Sequence, residues 1–456
     1  MARTPEQNNA IITGSIPRQL LLFFFPIWLG TMFQQLYNTV DTLIVGNFVG
    51  TQALAAVGAT SSFVQLLVGL FVGLCSGAGV IIAQSFGAGD HDEVNRQVHT
   101  ALALAIAGGA ALTVIGLLIS RPVLRLMQTP DEIVGMASEY LQIYFLGMIP
   151  QMIYNMGTNI LRAVGDSKRP LYFLIVASIV NIVLDIVLVA VIPLGVAGAA
   201  IATVLSQAVG AAWILQFLTG KKTILRLRKD YLRPEKQVIL PVLALGISTF
   251  VMLSTESLLS ISFSSSLARY GGDVAVGAMT VITSASQLCT LPIQGVCQGG
   301  QPVMSFNFGA GKKPRVKEAF RFQLTLCGAY TCLFWLAMML APGAVAGIFT
   351  SDSALISYTT WAMRIYMAGI FAMGFQIACQ QSFMALGQAK VSLLLACLRK
   401  IILLIPLIFI LPHLVADPVF GVFLAEPVSD ILAATITTII FFARFDRILE
   451  KGAARV

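Results

Sequence analysis

Long apolar runs without charge restrict the fold of this sequence more than any other feature. Residues 101–120 and 401–411 carry no charged side chain, and charged residues make up only 11% of the chain. A soluble domain has roughly 25% charged residues, whereas a helix that crosses a membrane needs about 20 apolar residues. The sequence therefore predicts an all-α integral membrane protein. Twelve transmembrane segments are expected, at roughly 17–46, 54–84, 97–120, 134–161, 170–192, 195–219, 238–268, 274–304, 318–341, 355–385, 389–411 and 418–443.

The basic residues are distributed unequally between alternate loops. If the N-terminus is cytoplasmic, the inner loops hold 23 Lys and Arg residues, and the outer loops hold 3, namely Arg121, Arg125 and Arg269. This asymmetry is the positive-inside pattern. We therefore expect a multi-pass protein of the cell (inner) membrane with both termini in the cytoplasm. The topology also explains the net charge of +8, so no nucleic acid is expected as a partner.

The two halves of the sequence repeat each other. Residues 86–89, Phe-Gly-Ala-Gly, recur 222 residues later as residues 308–311. At the same spacing, residues 163–168 recur as residues 385–390, with Ala, Gly and Lys at matching places. Such self-similarity indicates a duplicated unit, here one of six helices.

The duplication divides the chain into three predicted regions. An N-lobe with helices 1–6 covers residues 1–220, a basic cytoplasmic linker covers 221–237, and a C-lobe with helices 7–12 covers 238–456. Because each copy has an even number of helices, both enter the membrane from the same side. The lobes are then related by a pseudo-two-fold axis along the membrane normal. The amphipathic linker is expected to lie on the anionic inner leaflet.

Acidic residues inside the predicted spans are the main functional candidates. A charged side chain within a bilayer is costly and marks a functional site by default; the alternative is a buried polar network that only holds helices together. At about 1.5 Å per helical residue, Asp41, Asp185 and Thr203 all fall in the outer half of the membrane. Asn181 lies four residues before Asp185, on the same helix face. The acids are Asp41, Asp185, Glu256, Glu426 and Asp430.

Asp41, Asn181, Asp185 and Thr203 would form a cation-binding set in the N-lobe. Two carboxylates with an amide and a hydroxyl offer hard oxygen ligands. Such a set suits Na⁺ bound at Asp41 and Asp185, or one proton shared between the two acids. No other metal and no cofactor is expected apart from this coupling ion.

The C-lobe carries a different set of charges. The estimated depths of Arg399 and Lys400 nearly coincide with that of Asp430, so we expect a structural ion pair between Asp430 and one of these two bases. Glu256 and Glu426 are expected to remain unpaired, as candidates for a proton or drug site.

The repeat counterparts of the N-lobe set are chemically different. At the spacing of 222 residues, Asn181 and Asp185 correspond to Leu403 and Leu407, which cannot bind a cation. The duplication therefore predicts a common fold, and the divergence predicts that ion coupling resides mainly in the N-lobe.

Substrate contacts are specified less closely. The 28 Phe and 16 Met residues would suit adaptable binding in a cleft, although most of them must face lipid or other helices. The seven cysteines lie in apolar segments without metal-ligand spacing and are interpreted as packing residues. Candidate substrate-binding residues are Gln34, Tyr37, Asn38, Met152, Asn155 and Met156.

Several motifs together resemble the multidrug and toxic compound extrusion (MATE) family. They are the Phe-Gly-Ala-Gly turns after the second and eighth helices, Thr129-Pro130-Asp131 before the fourth helix, and Arg162-Ala163-x-Gly165-Asp166 after it. The resemblance covers essentially the whole chain. It implies twelve helices in two lobes around a central cleft, and export of organic cations and other amphiphiles in exchange for protons or sodium.

The resemblance also implies roles for individual residues. In one prokaryotic branch of the family, positions that read Asp41, Asn181, Asp185 and Thr203 here form the N-lobe cation site. Another branch uses an acid on the seventh helix, matched by Glu256, and an acid on the tenth helix, which this chain lacks.

The sequence thus predicts a cation-coupled multidrug antiporter that works as a monomer by alternating access of its lobes. Its partners would be the lipid bilayer and small amphipathic or cationic substrates. A flippase for lipid-linked cargo is the alternative, but it would need basic residues lining the cleft, and the helices offer only Arg364, Arg399 and Lys400 away from their ends. A membrane-embedded enzyme is not expected, because no nucleophile–base or metal constellation occurs at depth.

Overall fold

The computed structural model describes residue 11 and residues 13–127, 129–220, 225 and 235–453, and these residues are almost entirely helical. The first half contains α1 (Ile16–Phe48), α2 (Thr51–Ala88), α3 (His91–Leu126), α4 (Asp131–Leu146), α5 (Met148–Ala163), α6 (Lys168–Asp185) and α7 (Gly195–Thr219). The second half contains α8 (Lys236–Gly309), α9 (Lys313–Leu340), α10 (Pro342–Phe349), α11 (Ser353–Tyr366), α12 (Ile370–Ala385), α13 (Ala389–Cys397), α14 (Ile405–Leu414) and α15 (Pro418–Ala453). Two π-helical stretches, Ile186–Val191 after α6 and Leu398–Leu404 between α13 and α14, interrupt the regular helices.

The helices agree with the twelve predicted transmembrane segments. Ten stretches within the described residues are long and apolar enough to span a membrane. α8 counts as one of them, although Gly272, with a non-helical φ of 64°, divides it into two. The fourth predicted segment is divided at Gly147 into α4 and α5, each of 16 residues and therefore too short to count alone. These two features account for the difference, and the predicted all-α membrane fold is confirmed.

The outer surface of the helices is apolar, as the predicted membrane environment requires. Leu118 on α3 is 72% exposed, Leu340 on α9 is 73% exposed, and Phe442 on α15 is 56% exposed. Soluble proteins rarely expose apolar patches of more than a few hundred Å². Side chains of this kind are stable when lipid is their solvent.

Glycine-dependent turns occur at matching places in the two halves. Gly89 ends α2 with a φ of 79°, and its N–H donates to the carbonyl oxygen of Phe86. Gly311 follows α8 with a φ of 67°, and its N–H donates to Phe308 in the same way. Left-handed backbone of this kind strains residues that carry a Cβ atom. Two further pairs with positive φ keep the same spacing along the chain, Gly50 with Gly272 and Gly165 with Gly387.

The chain packs as two compact units. Among the described residues, unit 1 contains Phe25–Phe250, and unit 2 contains Gly14–Phe24 together with the residues from Val251 onward. The units differ from the lobes predicted from the sequence in two short helical segments. Residues 14–24, which include the start of α1, pack with the second unit, and residues 238–250 of α8 pack with the first. The lobe boundaries themselves stay a prediction.

Close helix approaches at glycine explain the packing of these two segments. In unit 1, a Cβ atom on Gly77 of α2 would come within 2.9 Å of the carbonyl oxygen of Val242 on α8. In unit 2, a Cβ atom on Gly299 of α8 would come within 2.9 Å of the backbone nitrogen of Phe24 on α1. Gly77 and Gly299 are separated by the spacing of the repeat, so the same contact is built twice.

The predicted basic linker, residues 221–237, lies outside the described residues except for 225 and 235–237. Its placement on the membrane surface therefore stays a prediction.

Candidate functional site

Two carboxylates in unit 1 have no ion-pair partner within the described part of the chain. Asp185, at the end of α6, is fully buried, and neither of its carboxylate oxygens has a hydrogen-bond partner among the described residues. Asp41 on α1 is half-buried, and its Oδ1 atom is also buried and unpartnered within that part of the chain. The two acids lie close enough to repel each other electrostatically. Uncompensated acids in a membrane interior are costly, which makes them functional candidates.

α6 turns a polar stripe toward the interior of unit 1. Ser178, Asn181 and Asp185 are all buried, and their spacing of three and four residues places them on one helix face. The hydroxyl of Ser178 and both amide heteroatoms of Asn181 have no hydrogen-bond partner among the described residues. The π-helical stretch Ile186–Val191 begins directly after Asp185, and π-bulges occur frequently at functional sites. This face of α6 presents polar atoms, whereas the buried face of a helix is ordinarily apolar.

Thr203 on α7 is half-buried, and its hydroxyl donates to the carbonyl oxygen of Ala199 one turn earlier, at 3.1 Å. The donor is thereby used within the helix, and the oxygen keeps lone pairs that can accept or coordinate. Ala199 belongs to an apolar cluster that also contains Ile44 of α1, Tyr140 of α4 and Val189 after α6. The helices that carry Asp41, Asp185 and Thr203 therefore meet in one cluster within a turn of those residues.

Tyrosines beside these acids were missed by the sequence analysis. Tyr140 is 8% exposed and lies within electrostatic range of both Asp41 and Asp185. Its ring stacks on that of Tyr144, with centroids 6.1 Å apart, and the Tyr144 hydroxyl accepts a hydrogen bond from Gln151 at 3.1 Å. The signal in the sequence is a pair of tyrosines four residues apart within a predicted span, a spacing that places both on one helix face.

The predicted substrate-binding residues fall into two groups. Gln34 and Asn38 on α1 are exposed, and Tyr37 and Asn155 are half-buried. The two methionines on α5 are instead enclosed: Met152 is 0% exposed and Met156 is 1% exposed. Both lie on the face of α5 that packs inside unit 1, so they present no surface to a substrate in this conformation.

The three acids predicted at depth in unit 2, Glu256, Glu426 and Asp430, have basic partners. Arg399 lies 2.8 Å from Asp430 and 3.1 Å from Glu426, with the Asp430 side chain only 4% exposed. The hydroxyl of Ser429 donates to the carbonyl oxygen of Arg399 at 3.1 Å and holds α15 against the π-helical stretch. Of the two bases expected near Asp430, the structure therefore places Arg399 there.

The expectation that Glu256 and Glu426 stand unpaired was wrong. Glu426 contacts Arg399 as described above, and Glu256 forms an ion pair with Lys400, whose ammonium group also donates to the carbonyl oxygen of Met252 at 2.7 Å. Arg399 and Lys400 are adjacent residues of the π-helical stretch, so their side chains point in different directions around its axis. One base therefore reaches α15 and the other reaches α8. The Glu256 side chain remains 64% exposed.

The leucines at the repeat positions of Asn181 and Asp185 are ordinary packing residues. Leu403 and Leu407 are half-buried, and Leu407 packs against the main apolar cluster of unit 2. Unit 2 thus has apolar side chains at the repeat positions of Asn181 and Asp185.

The predicted site residues of unit 1 carry the oxygen atoms that a small hard cation would need. Carboxylate, amide and hydroxyl oxygens are the ligands that such cations prefer, and two adjacent carboxylates can also share a proton. Among the described residues, no three His, Cys, Asp or Glu side chains come together as a metal site would require. The chemistry of the site therefore depends on two acids with neutral oxygen donors.

Comparison with known proteins identifies relatives of both halves and of the whole chain. A family model described as MatE matches residues 26–187 and again residues 248–410. The two matches begin at the spacing that separates the Phe-Gly-Ala-Gly motifs. The probable multidrug resistance protein YoeA of Bacillus subtilis (strain 168) is 30% identical over 319 residues, which cover 68% of this chain and 69% of YoeA.

More distant relatives match nearly the full length. The multidrug export protein MepA of Staphylococcus aureus (strain N315) is 23% identical over 447 residues, 97% of each chain. A crystal structure of MATE in the bent conformation superposes with a TM-score of 0.92 over 99% of this chain and 100% of that one, at 23% identity. The structural likeness establishes the fold.

Proposed function

The chain belongs to the MATE family of multidrug exporters, and on that premise we propose that it is an antiporter which exchanges a cation for its drug substrates. The coupling ion in this proposal is Na⁺ or H⁺, and the exported substrates are organic cations and other amphiphilic drugs. The ion site consists of Asp41, Asn181, Asp185 and Thr203.

One observation carries the proposal. In unit 1, the carboxylate oxygens of Asp185, one oxygen of Asp41 and the amide of Asn181 are buried and lack hydrogen-bond partners among the described residues. Buried polar groups are normally satisfied, and each exception requires an explanation. A bound cation or proton would give the oxygen atoms among them a partner, and its release would leave two carboxylates that repel each other.

Ion binding at this site would change the stability of unit 1. Neutralising one charge removes the repulsion between Asp41 and Asp185 and allows the helices that carry them to pack more closely. Exchange requires that ion and drug favour different conformations of the protein, because only differential affinity can shift a conformational equilibrium. Alternating access then returns the ion to the cytoplasm and the drug to the outside.

The charge balance supports cationic and amphiphilic substrates. Asp41 and Asp185 of unit 1 have no basic partner among the described residues, whereas Arg399 and Lys400 of unit 2 are both bound to carboxylates. A flippase for lipid-linked phosphates, the alternative, needs unpaired bases at depth to hold its anionic cargo. The pairing of these two bases disfavours that alternative.

A proton or drug site at Glu256 and Glu426 is the alternative location for coupling. Each of these acids has a basic partner, so we propose that they stabilise unit 2 and that coupling resides in unit 1. The protein is further proposed to work as a monomer in the cell (inner) membrane with both termini cytoplasmic. The inner loops hold 23 basic residues and the outer loops hold 3, and this asymmetry supports the orientation.

Transport by purified protein in liposomes tests the proposal. Efflux of ethidium is measured under an imposed Na⁺ gradient at equal pH, and separately under an imposed pH gradient without Na⁺. We expect one gradient to drive efflux and the other to leave it at the level of empty liposomes. An efflux rate that is independent of both gradients would contradict ion coupling. Movement of a fluorescent lipid-linked phosphate without movement of ethidium would favour the flippase.

A further inference from the structure

A groove in unit 2 lies between the start of α1 and the first turns of α9. It has a volume of about 450 Å³ and is bordered by Pro17 of α1 and by Lys317, Glu318, Arg321, Phe322 and Thr325 of α9. From its charge and its position, we propose that this groove binds the headgroup of an anionic phospholipid.

The charges at the groove favour an anion. Arg321 is exposed and has no ion pair among the described residues. Lys317 is held by Asp446 of α15 at 2.6 Å, but both side chains are largely open to the surroundings, at 44% and 69% exposed, so Lys317 can turn to a stronger partner. Glu318 is the one acid of the lining. A phosphate group therefore meets one unpaired guanidinium and one ammonium that is only loosely held.

The groove continues into a lipid-facing surface. Along α9, the side chain of Arg321 is followed one turn later by that of Thr325, which is also exposed. Large apolar side chains continue this exposed face toward the end of the helix. Leu333 is 68% exposed, Leu336 is 46% exposed, and Leu340 is 73% exposed. Residues three or four apart lie on one face of a helix, so a molecule bound at Arg321 can extend along this apolar stripe.

The basic end of the groove and the apolar stripe on α9 together match one kind of molecule. A free phosphate would use the basic end of the groove and leave the apolar stripe unused. A phospholipid uses both parts, because its phosphate meets Arg321 and Lys317 while its acyl chain lies along α9. Basic pockets between helices at the membrane surface bind the headgroups of anionic lipids in this way. The excess of basic over acidic lining residues favours phosphatidylglycerol over the zwitterionic phosphatidylethanolamine.

Native mass spectrometry of the full-length protein in detergent tests the proposal. The protein is titrated with phosphatidylglycerol, phosphatidylethanolamine or phosphatidylcholine, and the fraction with one bound lipid is measured. We expect phosphatidylglycerol to bind most tightly. Arg321→Gln should weaken that binding about fivefold, the effect of one basic residue near an anionic surface. Arg447→Gln is the matched control: it removes the same charge from exposed Arg447 on α15, which does not line the groove.

A second variant tests the site by its shape. Thr325→Trp keeps every charge and fills the groove from an exposed position, so it should also weaken phosphatidylglycerol binding. Equal binding of the three lipids, unchanged binding by both variants, or an equal loss in Arg447→Gln would overturn the proposal. Full competition by millimolar inorganic phosphate would assign the groove to a free anion instead. Circular dichroism of each variant confirms that its helices are retained.

Discussion

The acids of the two units differ in what surrounds them. In unit 1, Asp41 and Asp185 have no basic partner among the described residues, and Asp185 has no hydrogen bond to either oxygen there. In unit 2, Asp430 and Glu426 share Arg399, and Glu256 has Lys400. A compensated acid can hold helices together, whereas an uncompensated one can respond to an ion. In the proposed function, the uncompensated acids of unit 1 therefore respond to the ion, and the compensated acids of unit 2 stabilise the fold.

Each unit has a π-helical stretch beside its charged residues. One begins directly after Asp185 in unit 1, and the other contains Arg399 and Lys400 in unit 2. A π-turn inserts an extra residue into a helix and so redirects the side chains beside it. In unit 1 the irregular turn lies next to an unpaired acid, and in unit 2 it carries the two bases toward acids on different helices.

The largest effect is expected from neutralising the unit 1 site. Asp41→Asn should reduce ethidium efflux from proteoliposomes to the level of empty liposomes, because the remaining carboxylate cannot bind the coupling ion alone. The Tm should stay the same or rise, since the substitution removes an uncompensated charge from the interior. Asp131→Asn, which changes an exposed acid at the start of α4, is the control. Undiminished efflux by Asp41→Asn would place coupling outside unit 1.

Breaking the ion pair of unit 2 should act on stability instead. Asp430→Asn leaves Arg399 with a single acidic partner in a buried place. Removing one member of a buried pair typically destabilises a protein by about 3 kcal/mol, so the Tm should fall clearly while ion dependence is retained. Asp446→Asn breaks the exposed pair with Lys317 and should cost less than about 1 kcal/mol. Equal Tm values for the two variants would contradict a structural role for Asp430.

Matched glycines test what the units have in common. Gly77→Ala and Gly299→Ala each place a Cβ atom 2.9 Å from a neighbouring backbone atom. Overpacking of this kind costs about 2 kcal/mol, and we expect the two variants to lose similar stability in thermal unfolding. Gly58→Ala is the control, because a Cβ atom there meets nothing within 4 Å. A strong effect of only one variant would show that the close approach is not shared by the repeats.

The smallest effect is expected at Glu256, the repeat counterpart of Asp41. Its side chain is 64% exposed, and Lys400 keeps the carbonyl oxygen of Met252 as an acceptor when the acid is removed. Glu256→Gln keeps an oxygen that can accept a hydrogen bond from Lys400, so it should lower the Tm less than Asp430→Asn does and leave ion-driven efflux intact. Loss of efflux in this variant, at a normal Tm, would show that both units take part in coupling.

Much of the fold was predictable from the sequence because lipid is a simple solvent. Apolar runs of spanning length predicted the helices, and the repeated Phe-Gly-Ala-Gly motifs predicted matching turns, which Gly89 and Gly311 form. The exchange of residues 14–24 and 238–250 between the packing units was not predicted. It depends on close backbone approaches at Gly77 and Gly299, and a single sequence does not reveal which helix a glycine will face.

The candidate site, like the fold, was predictable from the sequence only in part. Helical spacing predicted that Asn181 and Asp185 share a face, and the depth of charges in the membrane predicted a base near Asp430. The expectation that Glu256 and Glu426 are unpaired was wrong, because depth alone does not specify the direction of a side chain around its helix axis. Tyr140 and Tyr144 were missed for the same reason.

The sequence by itself determined the kind of protein: a duplicated bundle of apolar helices with acids at unusual depth. These properties depend on composition and periodicity, which act along the chain. Only the tertiary structure decided which acids are compensated. Asp41 and Asp185 lie in packing that brings them no base among the described residues, whereas a π-helical stretch turns Arg399 and Lys400 toward the acids of unit 2. Compensation depends on distances between side chains of different helices, and those distances exist only once the helices have packed.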